Sequence, residues 1–379
     1  MIVRHFLRWV QTAAPGERAE ATSALARAYL YSDLSSEDRL AAEAAMIVLL
    51  DDSSPMVRKA LADALAVSAD APHGVLLALA QDQPEIATVV VARSPVLAEA
   101  DLVDLVGAGE ESVQSAIAAR EPLSRALAGA IAEVAGAAAC LVLIENSSAE
   151  TSVKSLARIA ERHGQLSAIR EALFAREDLQ ADTRQALVAK LSETLVRFVT
   201  ERDWVPEERV QRVAREACER ATVAIAAGKE SDEIAALVRH LVASGQLTSL
   251  LLLRALLSGN VRFLIEAFAE LSGIAPDRVA GVLSDRYAHG FRALYQRAGL
   301  PEAAFGAFRA ALEALHEIGF ADDALGAAML KRRMVERVLT LYAGSNDGEI
   351  DYLFAMLRRF AAEAAREEAR YYTADLVAA

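Results

Sequence analysis

Three variants of one short phrase recur in the first half of the chain: Ala92-Arg93-Ser94-Pro95-Val96, Ala119-Arg120-Glu121-Pro122-Leu123 and Ala175-Arg176-Glu177-Asp178-Leu179. Their arginines lie 27 residues apart (120 minus 93) and then 56 (176 minus 120); 56 is twice 28, which leaves room for one degraded copy near Ser148. A period in this range is that of two short helices per unit. One helical hairpin cannot bury its own apolar face, so such units stack on their neighbours. The pattern predicts an all-α chain, an α-solenoid of short helical hairpins.

Composition points the same way. The chain is 54% hydrophobic but only 6% aromatic, and Ala and Leu dominate. These are strong helix formers, whereas strands draw on β-branched and aromatic residues. Acidic residues outnumber basic ones, 53 to 40, for a formal net charge of -13. Such a molecule repels phosphate backbones unless its cations gather on one face, which disfavours nucleic acid as a partner. Cys140 and Cys218 are too few and too isolated for a disulfide framework or a zinc site, and a reducing cytoplasm is the expected compartment.

No chemistry-bearing motif stands out. The histidines His5, His73, His163, His240, His289 and His316 never fall three or four residues apart, the spacing that places two ligands on one helix face. There is no nucleophile elbow, phosphate loop or dinucleotide turn. The sequence therefore offers no catalytic residue, no metal ligand set and no cofactor site. One apolar run, Ala126 to Ile144, is about long enough to cross a bilayer. Glu133 near its middle argues against that, and its Ala and Gly content suits closely approaching helices instead. The N-terminal stretch Met1 to Val10 reads as a short amphipathic helix docked on the body of the protein rather than a signal peptide.

The first well-marked hairpin runs from about Ser36 to Leu65. Its turn ends in Asp51-Asp52-Ser53-Ser54-Pro55, cap residues followed by a Pro that opens the next helix. That helix sets Val57, Ala60, Leu61, Ala64 and Leu65 on one stripe. A later helix sets Leu187, Leu191, Thr194, Leu195 and Phe198 on one face before Asp203-Trp204-Val205-Pro206 stops it. Asp52 followed by Val57-Arg58 and a small-residue helix resembles the second helix of a HEAT repeat, and the Ala-Arg-x-Pro/Asp-Leu phrase is similar to leucine-rich-repeat-variant units. With Ser94-Pro95-Val96-Leu97 leading into Asp101-Leu102-Val103-Asp104-Leu105, the chain resembles an uncharacterised alphaproteobacterial family, a DUF2336-like domain of unknown function with HEAT-like helices. The period near 28 is shorter than the 40 to 47 or so of HEAT. The resemblance implies an interaction or regulatory role and carries no catalytic residues.

A second all-helical domain is expected after the polar stretch Ala226-Ala227-Gly228-Lys229-Glu230-Ser231-Asp232, giving domains at 1–226 and 232–379. In it Gly245, Gly273 and Gly299 recur at 28 and 26 residues (273 minus 245, 299 minus 273), each followed by an apolar residue and a helix starter. Glycine in that place takes the left-handed conformation that ends a helix. Gly319 continues the series, and a helix around Glu349 to Arg370 reads as a solvated cap or tail.

The candidate interaction residues are Arg93, Arg120 and Arg176, with Arg58 and Lys59 beside the capped turn. At helix ends such cations compensate the dipole and bond the last carbonyls. Stacked in successive repeats, they would also form a cationic ladder for an acidic helix or phosphates. The leading expectation is a non-enzymatic scaffold or adaptor that binds another protein through its repeat surface. The alternatives are a nucleic-acid-binding or base-repair solenoid that stacks bases on Trp9 or Trp204, and a small-ligand sensor at the domain junction.

Overall fold

The computed structural model describes residue 6 and residues 8–285, 290–318, 324–342 and 351–378. Among these every regular element is an α-helix, and the β-type pairing is confined to the isolated bridge Leu123↔Ala149. The chain divides into two compact units, Met1–Leu179 and Gln180–Ala379.

The first unit is built from α1 (Pro15–Tyr31), α2 (Ser36–Leu49), α3 (Pro55–Leu65), α4 (His73–Ala80), α5 (Pro84–Arg93), α6 (Glu99–Ala108), α7 (Glu111–Ala118), α8 (Arg125–Val134), α9 (Ala137–Glu145), α10 (Val153–His163) and α11 (Ser167–Ala175). Proline opens α1, α3 and α5, where its missing N–H would be unpaired anyway. The side chains of Ser35, Ser124 and Ser152 accept backbone N–H bonds at the starts of α2, α8 and α10. Packing runs in alternation: α1 on α3, α3 on α5, α5 on α7, α7 on α9 and α9 on α11, with α6 on α8 and α8 on α10 alongside. The helices of these pairs bury their apolar stripes against one another. In α3 that stripe is Val57, Leu61, Ala62 and Leu65.

The long apolar run is not one helix. It breaks at Ala135-Gly136 into α8 and α9, where the Gly136 N–H donates to Gln114 Oε1 at 2.9 Å. No helix among the described residues is long and apolar enough to cross a membrane. Most of the N-terminal stretch lies outside the described residues, but Phe6 and Val10 pack against the cluster of Ala19, Leu49 and Val57.

The second unit comprises α12 (Ala181–Thr200), α13 (Glu207–Ala226), α14 (Ser231–Ala243), α15 (Ser249–Leu257), α16 (Val261–Ser272), α17 (Pro276–Ser284), α18 (Phe291–Arg297), α19 (Glu302–Ile318), α20 (Ala324–Tyr342) and α21 (Asp351–Ala378). The division thus falls at 179/180 rather than at the expected joint of 226–231. That polar stretch is a tight helix–helix turn inside the second unit, with Gly228 at φ 74° and a Lys229–Glu233 ion pair of 2.9 Å. Ala226 just before it is 1% exposed and belongs, with Ala181 and Val223, to the second unit's core. Around Phe268 that core is aromatic: Phe291, Tyr295 and Phe308 lie 5.9, 6.3 and 6.3 Å from it, the phenylalanines edge to face.

Gly245, Gly273 and Gly299 adopt φ of 67°, 67° and 69°, the left-handed conformation their spacing predicts. Gly319 lies outside the described residues. Within the described part of α21, Met356, Leu357, Phe360 and Ala364 are buried, so the helix is integral to the unit and not a detached tail. Fragments 1–179 and 180–379 are each expected to unfold cooperatively in urea followed by circular dichroism. A fragment beginning at 232 is expected to lose cooperativity, because it lacks α12 and α13; equal cooperativity in both C-terminal fragments would restore the later boundary.

Candidate protein-docking surface

Two of the three repeated arginines, Arg120 and Arg176, act on the hairpin before their own. Arg120, half-buried after α7, donates to the Val91 carbonyl and, at 2.8 Å, to the Ser94 carbonyl, both at the end of α5. Arg176 donates to the Ile144 carbonyl at the end of α9 (3.1 Å), to Thr151 Oγ1 (2.9 Å) and to both carboxylate oxygens of Asp178 (2.9 and 2.8 Å). Asn146 fills the missing place between them. Its amide donates at 2.9 Å to the carbonyls of Ala118 and Arg120, and it is the degraded copy that the spacing located near Ser148. Each side chain so caps carbonyls left open by the preceding unit.

The expected cationic ladder is therefore largely occupied. Arg58 pairs through both its Nε and its Nη2 with Asp82, the second bond at 2.9 Å, and also donates to the Asp52 carbonyl. Asp52 in turn receives Arg18 at 2.9 and 2.8 Å, and these contacts hold the Asp52 and Asp82 carboxyls below the usual range against their burial. Arg93 and Lys59 are exposed. Sequence reasoning missed Arg162, which donates to Ala132 (2.7 Å) and Ala135 (2.9 Å) at the end of α8. Nothing in its flanking residues repeats the Ala-Arg phrase, so only its distance of about one period from those carbonyls could have marked it.

The surface left open lies elsewhere. From residue 188 to 218, the distal parts of α12 and α13, no side chain is buried. Yet Leu195 is 54%, Phe198 44%, Trp204 66% and Val213 55% exposed. The two helices form an arm. Its base is fixed by Ala181 and Leu187 of α12, by Val223 and Ala226 of α13, and by Gln185, which bonds Gln246 at 2.6 Å and His240 at 3.0 Å. At its tip Asp203 turns the chain at φ 52°, Phe198 meets Trp204 edge to face at 5.9 Å, and the Arg202 guanidinium lies 3.5 Å over the Phe198 ring.

One face of the arm is an open apolar trough of about 570 Å³ lined by Val188, Leu191 and Leu195 from α12 and Val210, Val213 and Ala217 from α13. Arg209 is its one charged lining residue. A second depression, of about 860 Å³, mixes the charged and polar Glu193, Arg197, Glu207, Gln211 and Arg215 with apolar Val196, Leu241 and Leu251. Beneath it Glu219, 7% exposed, lies 3.5 Å from Arg254, 4% exposed, within ion-pair range but without a hydrogen bond. Burial raises the Glu219 carboxyl and Arg254 partly opposes that rise. Burial and the neighbouring Glu219 also raise the Cys218 thiol, which leaves it a poor nucleophile. Among the described residues no group of three or more His, Cys, Asp or Glu is placed to hold a metal.

A family described as an uncharacterised protein conserved in bacteria (DUF2336) matches residues 86–346, a span that contains the whole arm. The chain belongs to this family. The matched span begins inside α5, so the family region takes in the later hairpins of the first unit and much of the second. No curated protein and no solved structure matches the chain.

Proposed function

We propose that this family member is a cytoplasmic protein-interaction scaffold whose first unit is a short α-solenoid of HEAT-like hairpins and whose docking surface is the apolar face of the α12–α13 arm. The observation that carries this reading is the absence of any buried side chain from 188 to 218 beside the exposed Leu195, Phe198 and Val213. A two-helix hairpin cannot bury its own apolar stripe, and fully burying one such side chain is worth about 1.5–3 kcal/mol. Several together can offset the entropy of association.

Arg120 and Arg176 support the reading indirectly, since their donors are engaged and offer little to a phosphate backbone. A trough with one charged residue matches the charge-poor centre of a protein interface and not a nucleic-acid groove. Two unpaired cysteines suit a reducing compartment. The test is site-specific photo-crosslinking in the host cell. A photoreactive residue at Val213 is expected to give a polypeptide adduct, whereas one at exposed Glu99 is not. Equal yields at both positions would remove the arm as a docking surface.

A further inference from the structure

The arm's apolar residues follow a coiled-coil register. In α12, Val188, Leu191, Leu195 and Phe198 are spaced 3, 4 and 3 (191 minus 188, 195 minus 191, 198 minus 195), and in α13, Val210, Val213 and Ala217 are spaced 3 and 4 (213 minus 210, 217 minus 213). This is the heptad seam by which helices interlock knob into hole. The seam is unequal between the two helices. On α12 it carries Val, Leu, Leu and Phe, and on α13 it carries Val, Val and Ala. Two antiparallel helices of 20 residues each, joined by a short turn, are half of an up-down four-helix bundle.

We infer that the occupant of the trough is the arm of a second copy of this chain, and that the two arms close into a four-helix bundle about a two-fold axis. The inference rests on the docking reading above and names its partner. A two-fold interface must be self-complementary, and a bulky α12 seam laid over the small α13 seam of the other copy, with the reverse contact generated by symmetry, satisfies that condition.

The size is sufficient. The open part of the arm is about 20 Å long, at about 1.5 Å per helical residue, and two helices side by side are about 20 Å across. With side-chain relief, the two faces together bury roughly 1,000 Å², the threshold of a specific interface. A bundle at that threshold dissociates on dilution, so the dimer is concentration-dependent.

Sedimentation velocity of the full chain between about 1 and 100 µM tests this, and the expected result is a shift toward twice the 40.5 kDa chain mass. Leu195→Asp with Val213→Asp should hold the protein at the single-chain mass with its helical circular dichroism intact. Hydrogen exchange of the unaltered chain needs no variant: protection across 188–218 should rise with concentration while other exposed helices stay unchanged. A single-chain mass up to 100 µM, or a dimer that survives the folded double variant, overturns the proposal. So does concentration-independent exchange across 188–218. If the Val213 photo-adduct then contains a different polypeptide, the docking reading stands and only the second copy is wrong. If there is no adduct either, both fall.

Discussion

Arg120→Glu is expected to lower the stability of the first unit by about 3–5 kcal/mol, while Arg93→Glu, in the same phrase one repeat earlier, is expected to melt like the parent. The two arginines look equivalent in sequence and differ in surroundings. Arg120 is half-buried and bonds two carbonyls at the end of α5, beside Ser94, which is fully buried. Hydrogen bonds from a charged donor are worth about 1.5–3 kcal/mol each, and the introduced carboxylate would face the same carbonyl oxygens as a like partial charge. Arg93 is exposed on the last turn of α5, where a charge change falls within the usual surface range. Arg120→Gln should lie between them, keeping a donor but losing the charge. Urea denaturation followed by circular dichroism on all three variants checks the order. Equal losses at 93 and 120 would mean that the repeat position, and not the carbonyl contacts, sets the effect.

That contrast also marks what the sequence could reveal. A period near 28 was legible because Arg120, Asn146 and Arg176 each reach back to carbonyls of the preceding hairpin, by 26, 26 and 32 residues. The glycine series was legible because a left-handed helix end leaves few residue choices, and Gly245, Gly273 and Gly299 all adopt it. What a cation bonds to was not legible. Helix-end arginines look alike whether they cap their own helix, cap the previous one, or face solvent.

The division at 179/180 departs from the expected joint for a related reason. Gly228-Lys229-Glu230 has the composition of a flexible linker, but the burial of the residues that flank it decides whether such a stretch joins domains or helices. Ala226 and Ile234 on either side of it are both buried at 1%, which ties the turn into one core. The arm was half legible. Periodicity displayed the stripe through Leu191, Leu195 and Phe198, yet a stripe reports which face is apolar and not whether a neighbour covers it. Only the fold shows that Leu195 and Phe198 of that stripe are left exposed, where a buried helix of the first unit had been expected.

Arg254→Met is expected to cost the second unit about 3–5 kcal/mol at neutral pH, because it leaves Glu219 as an uncompensated buried charge. The parent pair is loose: 3.5 Å apart and not hydrogen-bonded, with Arg254 also 3.7 Å from Glu363 and 5.3 Å from the Phe360 ring centre. Burial already raises the Glu219 carboxyl above its ordinary value, and Arg254 is the main group opposing that rise, so its removal drives the carboxyl higher. A carboxyl raised on folding binds its proton more tightly in the folded state. Its contribution to stability is therefore greatest below the ordinary carboxylate value and declines as pH rises toward the raised one. The loss in Arg254→Met should be smaller at pH 5 than at pH 8, where the unpaired carboxylate must ionise or retain its proton against the solvent. Glu219→Gln combined with Arg254→Met should recover much of the loss and abolish the pH dependence, since replacing both members of a buried pair is often close to neutral. Urea titrations of the parent, the two single variants and the double variant at both pH values complete the cycle. A loss in Arg254→Met that is equal at pH 5 and pH 8 would show that packing against Phe360, and not charge, is what Arg254 contributes.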